Sequence, residues 1–231
     1  MKLALLGRHI SHSLSPRLYN QFLGSELISY DLIDCEEEKD IPTLAELSKK
    51  LDGLNITSPY KRLFTDKVEV TSDVARRIGA INTISFGKTV KGTNTDALAV
   101  EIILKEYLIS YPHLNVIVLG GGVMSEMTKL ILDKLNCPSQ IITRASHGDL
   151  THLNLQDFYL PQFKTLVINS CSRSFEFKGL LHPEFLVWDY NYNFSPHELS
   201  MKPQVESYED GKRMLELQAQ EAIKFWKQNK D

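Results

Sequence analysis

The middle of the chain contains the stretch Val116-Ile117-Val118-Leu119-Gly120-Gly121-Gly122-Val123-Met124-Ser125. A continuous apolar run such as 115–119 is typical of a strand that is buried on both faces of a parallel sheet. The three glycines allow a tight turn, and the amphipathic pattern over 124–135 predicts a helix directly after them. This order of strand, glycine turn and helix predicts a β-α unit whose helix N-terminus can bind a pyrophosphate.

The same alternation of strand and helix patterns extends towards both ends of the chain. Further strands are expected at 2–6, 28–33, 54–57, 81–86, 89–91, 140–143, 165–168 and 186–189, and further helices after Ser15 and at 37–51, 72–78, 97–108 and 211–228. Ser15 is the expected N-cap of the first helix, and Thr95 or Asp96 that of the helix over 97–108. The alternation predicts an α/β fold with mostly parallel sheets. A domain boundary is expected near residue 98, because the pattern starts again there.

The composition is that of an ordinary globular protein and excludes several classes of function. A net charge of −3 gives no electrostatic basis for binding nucleic acid. No apolar run approaches the roughly 20 residues that a membrane-spanning helix needs, and the apolar N-terminus is too short for a signal peptide, so no membrane partner is expected. The three cysteines are far apart and the seven histidines are scattered, which predicts neither a disulfide framework nor a metal site. A reducing cytoplasm fits this pattern best.

The glycine turn is the candidate cofactor site. It approximates the pattern G-x-G-x-x-G/A, with Ser125 in the last position, and its strand and helix context is the one that this pattern requires. The alternative is a glycine-rich turn that binds no ligand. We expect a dinucleotide to contact the turn residues Gly120, Gly121, Gly122 and Val123.

The residue that follows the next expected strand indicates which dinucleotide binds. Arg144 stands 22 positions after Gly122. A guanidinium there suits the 2′-phosphate of NADP by its charge and its planar fork of donors, whereas an acidic residue would suit the ribose of NAD. The alternative is a solvent-exposed surface arginine.

Polar side chains follow several of the expected strands, where ligands gather in α/β sheets. The segment Gly53-Leu54-Asn55-Ile56-Thr57-Ser58-Pro59-Tyr60-Lys61 follows a strand with an amide, a hydroxyl and an amine. Ser13 and Ser15 lie beside a helix N-terminus, which attracts a carboxylate. Lys61 and Asp96 can form an acid–base pair that moves a proton to or from an alcohol oxygen during hydride transfer. Taken singly, these are more often surface or capping residues; together they predict a small-molecule redox enzyme.

Five short motifs resemble, in order, those of the shikimate dehydrogenase family. They are HSLSP at 12–16 (family HSxSP), NITSPYK at 55–61 (NVTxPxK), GAINT at 79–83 (GAxNT), GTNTD at 92–96 (GxNTD) and MLELQ at 214–218 (MLxxQ). They span most of the chain, from the first expected strand to the last expected helix. Each motif is short, but five in the right order are highly specific.

The resemblance implies a domain organisation and a reaction. An N-terminal α/β substrate domain, expected at 1–98 plus 208–231, is completed by the C-terminal helix. A Rossmann-like NADP-binding domain, expected at 99–207, is inserted between its two parts. The family reversibly reduces 3-dehydroshikimate to shikimate, a step of aromatic amino acid biosynthesis. The implied partners are this small-molecule substrate and NADP, and the protein is expected to be a monomer or a homodimer.

The resemblance also implies roles for single residues. Lys61 and Asp96 would be the catalytic pair, and Ser13 and Ser15 would hold the substrate carboxylate. Further contacts to the carboxylate or the ring hydroxyls would come from Thr57, Asn82, Gln218 and, in a segment that resembles the family's DxxY, Tyr192. On the cofactor side the implied residues, beyond the glycine turn and Arg144, are Asn169 and Gly211.

Two departures from the family pattern leave alternatives open. Val123 takes the place of a glycine in the family's GAGGA turn, and Glu126 puts a carboxylate in the first helical turn, where it would compete with a pyrophosphate. One alternative is a dehydrogenase that acts on quinate or a related cyclitol carboxylate with NAD. The other is a shikimate-binding protein whose cofactor site has decayed, although the retained Lys61 and Asp96 count against it.

Overall fold

Two separate β-sheets organise the computed structural model of the chain, which describes residues 1–229. The contacts divide the chain into a first unit, Met1–Ala99 together with the residues from Glu216 onward, and a second unit, Val100–Leu215. Each unit contains one of the sheets. The prediction of an α/β fold is confirmed.

The first unit is built on a six-stranded mixed sheet. Its strands are β1 (Lys2–Gly7), β2 (Ser29–Asp34), β3 (Gly53–Ile56), β4 (Glu69–Val70), β5 (Thr83–Phe86) and β6 (Val90–Thr93), in the order β2-β1-β3-β5-β6-β4. β1 pairs in parallel with β2 and β3, whereas β5 pairs antiparallel with β3 and β6. Helices α1 (Ser15–Leu23), α2 (Leu44–Ser48) and α3 (Asp73–Ile78) complete the unit's connections. The carboxyl ends of β1 and β3 therefore lie side by side.

The second unit is a parallel sheet with helices between its strands. Its strands are β7 (Leu114–Leu119), β8 (Ser139–Ile142), β9 (Lys164–Asn169), β10 (Leu186–Asp189) and β11 (Ser207–Glu209), in the order β11-β10-β9-β7-β8. All four neighbouring pairs are parallel. The helices are α4 (Thr95–Ser110), α5 (Val123–Lys134), α6 (Arg144–His147), α7 (Ser195–Met201) and α8 (Lys212–Gln228). α4 begins in the first unit and α8 ends there.

The prediction of one continuous helix over 37–51 is wrong. The structure has a short 3₁₀ turn at Glu38–Asp40 and then α2, which begins only after Thr43. Pro42 explains the break, because proline disfavours the helical conformation in the residue before it, and Ile41 is accordingly extended. Thr43 then starts α2 with a capping box, in which its side chain and that of Glu46 bind each other's backbone N–H.

Two expected helix caps are also wrong. The N-cap of α1 is Leu14, and Ser15 lies inside the first turn. At α4 the amide oxygen Oδ1 of Asn94 accepts a hydrogen bond of 3.1 Å from the N–H of Ala97, so Asn94 caps the helix. Both Thr95 and Asp96 are helical. Asp96 is consequently not needed as a cap, and its carboxylate is available for another partner.

Candidate active site

Lys61 and Asp96, the two residues predicted as an acid–base pair, form an ion pair in the first unit. Lys61 lies in a 3₁₀ turn just beyond β3, and Asp96 lies in the first turn of α4. The Lys61 Nζ is 2.7 Å from the Asp96 Oδ2, and the two side chains are only 13% and 12% exposed. The backbone around Lys61 is held in place, because its carbonyl accepts a hydrogen bond of 2.8 Å from the N–H of Ile81. An ammonium group that is paired in this way can donate a proton at a defined position.

Asn82 is oriented so that its amide group can act as a donor. Its Oδ1 accepts hydrogen bonds from the backbone N–H of Thr95 at 2.7 Å and from the hydroxyl of Thr83 at 3.1 Å. A backbone N–H can only donate, so the position of Oδ1 is determined by its partner. No hydrogen-bond partner for the Asn82 Nδ2 is present in residues 1–229. The amide of this buried asparagine is therefore suited to bind a ligand oxygen.

Gln218 joins the same cluster from the last helix. The Thr95 hydroxyl lies 3.3 Å from the Gln218 Oε1 and 3.1 Å from the Asn82 Oδ1, so its single proton can serve only one of them at a time. Both side chains are at least nine-tenths buried. α8 thus brings the MLELQ motif to the GAINT and GTNTD motifs within one unit.

Ser13, Ser15 and Thr57 lie just beyond β1 and β3. The Ser13 hydroxyl accepts a hydrogen bond of 3.2 Å from the N–H of Ser15, and Ser15 is buried. A Cβ on Gly7 would come within 2.5 Å of the Thr57 methyl group, so only glycine at this position lets Thr57 approach β1. The adjacent sheet edge therefore carries both the serine segment and the threonine.

Some polar residues of this unit were not predicted as site residues. The Tyr30 hydroxyl donates to the Asn55 Oδ1 at 2.8 Å, and the Asn55 Nδ2 donates to the Thr83 hydroxyl at 3.2 Å. Asn55, Thr83 and Thr95 belong to the motifs quoted above, which was the available signal. Tyr30, on the edge strand β2, has no such signal in the sequence.

The glycine turn of the second unit has the shape that a pyrophosphate requires. Gly120 has φ +121°, a conformation that side chains other than glycine's rarely adopt, and a Cβ there would lie 2.6 Å from the Ser170 Oγ. Gly122 is the N-cap of α5 and has no side chain, and a Cβ on Gly122 would meet nothing within 4 Å. Val123 is the first helical residue. This helix N-terminus, with open space beside Gly122, fits a phosphate group.

Arg144 lies at the position expected for a 2′-phosphate contact. It is exposed and is the first residue of α6, directly after β8, which pairs with β7. The neighbouring Thr143 side chain would be 3.3 Å from a Cβ on Gly121. The structure therefore brings the start of α6 close to the glycine turn.

The three other predicted residues of the second unit have visible structural roles. The Asn169 side chain is buried and donates to the Asp189 carboxylate at 3.0 Å. A Cβ on Gly211 would lie 2.2 Å from the Tyr190 carbonyl oxygen, so this glycine allows a close backbone approach. Tyr192 is half-buried, and its carbonyl accepts a hydrogen bond of 2.7 Å from Arg173. Burial raises the pKa of the Tyr192 hydroxyl, an effect that the Arg173 guanidinium partly opposes.

Comparisons with known proteins show which proteins the chain resembles. Residues 5–84 match the family model described as the shikimate dehydrogenase substrate binding domain. A shikimate dehydrogenase of Sulfurisphaera tokodaii is 28% identical over 97% of the chain and 88% of its own length. The shikimate dehydrogenase (NADP(+)) of Prochlorococcus marinus subsp. pastoris is 29% identical over 97% and 90%. The chain is therefore similar to shikimate dehydrogenases over nearly its whole length.

Solved structures of shikimate dehydrogenases share the fold. The enzyme from Thermotoga maritima superimposes with a TM-score of 0.73 at 23% identity, covering 98% of this chain and 94% of that one. The enzyme from Thermus thermophilus, solved in complex with NADP(H) and shikimate, gives 0.70 at 21% identity over 98% and 93%. These structures confirm the fold that the resemblance of the five motifs implied.

Other site chemistries find little support in the described part of the molecule. Among residues 1–229, no group of three or more histidine, cysteine, aspartate or glutamate side chains could hold a metal ion. Burial raises the pKa of the Cys137 and Cys171 thiols to about 11, so both are protonated and weakly nucleophilic at neutral pH. Nor does this part contain a helix long and apolar enough to cross a membrane.

Proposed function

We propose that the protein is an NADP-dependent shikimate dehydrogenase, which reversibly reduces 3-dehydroshikimate to shikimate. The observation that carries the proposal is the ion pair of 2.7 Å between Lys61 and Asp96, largely shielded from water. Lys61 lies inside the residues that match the substrate-binding family model. The relatives' names support the same activity, since several are called shikimate dehydrogenase (NADP(+)).

The pair can carry out the proton transfer of this reaction. Reduction of the ketone adds a hydride to the carbonyl carbon and a proton to the carbonyl oxygen. Lys61 donates that proton from Nζ, and in the reverse direction its amine accepts the proton of the alcohol. Asp96 orients the Lys61 Nζ through the ion pair of 2.7 Å. When bound, NADPH supplies the hydride.

The remaining polar residues of the first unit would bind the substrate. Ser13 and Ser15 would hold its carboxylate, as a helix N-terminus with two hydroxyls favours an anion. The amide of Asn82 would donate to a ring hydroxyl or the carboxylate, and Thr57, Gln218 and, from the second unit, Tyr192 would supply the other contacts. The buried Asn82 Nδ2 favours a ligand that offers an oxygen, because an unpaired buried donor is costly.

The second unit would bind NADP through its own residues. Gly120, Gly121, Gly122 and Val123 would admit the pyrophosphate, and Arg144 would pair with the 2′-phosphate. Asn169 and Gly211 would contribute through their backbone, since the Asn169 side chain is engaged with Asp189 and Gly211 has no side chain.

One experiment tests the function and separates it from its alternatives. Purified protein is mixed with shikimate or quinate, each with NADP⁺ or NAD⁺, and reduced nicotinamide is followed by absorbance. We expect the highest kcat/KM with shikimate and NADP⁺. A higher value with quinate and NAD⁺ would identify a quinate dehydrogenase instead. The remaining alternative is a shikimate-binding protein without activity. Calorimetric titration would identify it if shikimate binds but no mixture shows turnover.

A further inference from the structure

A single buried carboxylate organises the loops at the carboxyl ends of β9 and β10. Asp189, fully buried, accepts five hydrogen bonds. Its Oδ1 accepts from the Asn169 Nδ2 at 3.0 Å and from the backbone N–H and Nδ2 of Asn191 at 3.0 and 2.9 Å. Its Oδ2 accepts from the His197 Nδ1 at 2.7 Å and the Tyr208 hydroxyl at 3.1 Å. A buried carboxylate with this many donors holds its neighbours in one arrangement.

The two asparagines bound to Asp189 both form hydrogen bonds with the backbone of Cys171. The Asn169 Oδ1 accepts a hydrogen bond of 3.2 Å from the N–H of Cys171, and the Asn191 Nδ2 donates one of 3.1 Å to the Cys171 carbonyl. The amide orientation of Asn191 is determined, because its Nδ2 faces two groups that can only accept. Asp189 therefore fixes the Cys171 backbone through Asn169 and Asn191.

The backbone of Ser170 and Cys171 lies directly against Gly120 of the glycine turn. The N–H and hydroxyl of Ser170 both donate to the Leu119 carbonyl, at 2.9 and 2.7 Å. A Cβ on Gly120 would lie 2.6 Å from the Ser170 Oγ and 3.5 Å from the Cys171 nitrogen. A displacement of the Cys171 backbone would consequently change the space at the turn.

We propose that Asn191, oriented by Asp189, is a positioning residue of the cofactor site. It acts by holding the Cys171 backbone against the glycine turn. The inference rests on the proposed binding of NADP and concerns a residue that neither the glycine pattern nor the five family motifs include.

The first test is Asn191→Ala, measured as the dissociation constant of NADP⁺ by calorimetry in the absence of substrate. Losing the donor leaves the Cys171 carbonyl unsatisfied, and we expect NADP⁺ to bind about tenfold more weakly. Shikimate affinity should change much less than NADP⁺ affinity, because most of its proposed ligands, such as Ser13, Ser15 and Asn82, lie in the first unit and only Tyr192 is adjacent to Asn191. The matched control is Ser174→Ala, which removes a hydrogen bond to Ser172 in the same exposed segment and should leave NADP⁺ affinity unchanged.

The second test, Asn191→Asp, adds a signature that a merely structural role would not produce. The new carboxylate would face the Asp189 Oδ1 and the Cys171 carbonyl, which are both acceptors. Their proximity raises its pKa, and only its protonated form can donate as the amide does. NADP⁺ affinity, as a ratio to wild type at each pH, should therefore recover as the pH falls and decrease as it rises.

The results distinguish a failure of the positioning role of Asn191 from a failure of the proposed function. If wild type binds NADP⁺ and Asn191→Ala binds it equally well, or if only the melting temperature changes, the inference is wrong while the proposed function stands. If wild type binds shikimate but no NADP⁺, the proposed cofactor is refuted and the inference with it. A pH-independent ratio for Asn191→Asp would also contradict the positioning role.

Discussion

At the residue scale, the proposed reaction depends on the ammonium group of Lys61. We expect Lys61→Ala to lower kcat by about 10²–10⁴-fold, the usual contribution of a general acid or base, while shikimate affinity changes little. Stopped-flow or steady-state absorbance gives kcat, and calorimetry gives the affinity.

Lys67 supplies the control for this prediction. It is an exposed lysine six positions along the chain, with its Nζ 5.6 Å from the centre of the Phe64 ring. Lys67→Ala should retain wild-type turnover. If Lys61→Ala also kept most of its activity, another group would have to supply the proton.

The proposed preference for NADP also depends on one residue, Arg144. Arg144→Ala should weaken NADP⁺ binding by about 10–100-fold, because it removes a charge-assisted contact to the 2′-phosphate. NAD⁺ lacks that phosphate and serves as the internal comparison in the same variant. Fluorescence or calorimetric titration with both dinucleotides measures the two constants. Equal losses for NADP⁺ and NAD⁺ would contradict the 2′-phosphate role.

At the scale of elements, the first turn of α5 combines an attractive and a repulsive feature for a pyrophosphate. The helix N-terminus favours an anion, whereas Glu126 adds a negative charge to the same turn. We expect Glu126→Gln to tighten NADP⁺ binding by about two- to fivefold, since charges near a helix terminus contribute modestly. The control is Asp133→Asn near the other end of α5, which should leave the affinity as it is. Weaker binding by Glu126→Gln would show that the carboxylate assists the cofactor.

At the scale of the whole molecule, the last helix, α8, packs against the sheet that the N-terminal strands form. The Trp226 side chain is buried, and its Nε1 donates to the Ile84 carbonyl at 2.8 Å. A Cβ on Gly53 would lie 2.4 Å from this nitrogen, so β3 leaves room for the indole ring only because it has a glycine there. This packing between residues far apart in sequence holds α8, with Gln218, against the rest of the first unit.

Removing this ring should therefore destabilise the first unit. We expect Trp226→Ala to lower its free energy of unfolding by about 3–5 kcal/mol, the usual cost of deleting a large buried aromatic side chain. Urea unfolding followed by circular dichroism measures the change. Lys224 is an exposed residue two positions before Trp226 on the same helix. The control variant Lys224→Ala should change the free energy of unfolding by less than about 0.5 kcal/mol. Equal stabilities of Trp226→Ala and wild type would mean that α8 is not anchored by the indole.

The sequence was sufficient for the α/β class, for the order of most strands and for the pairing of Lys61 with Asp96. These follow from local patterns: apolar periodicity reports which face of an element is buried, and polar residues at strand ends converge at one sheet edge. It failed where local signals compete, as at Pro42, which interrupts the helix expected over 37–51, and at Asn94, which caps α4 in place of its neighbours.

Only the tertiary structure decides the hydrogen bonds between residues whose spacing in the sequence gives no sign of contact. The Asp189 cluster draws its members from positions 169 to 208, in three strands, one helix and one loop, and the orientation of the Asn82 amide depends on a backbone N–H thirteen positions away. Hydrogen bonds form only within a few tenths of an ångström of their ideal length, whereas sequence patterns report periodicity and faces. Strand register and loop packing supply that precision, and they arise only when the whole chain is folded.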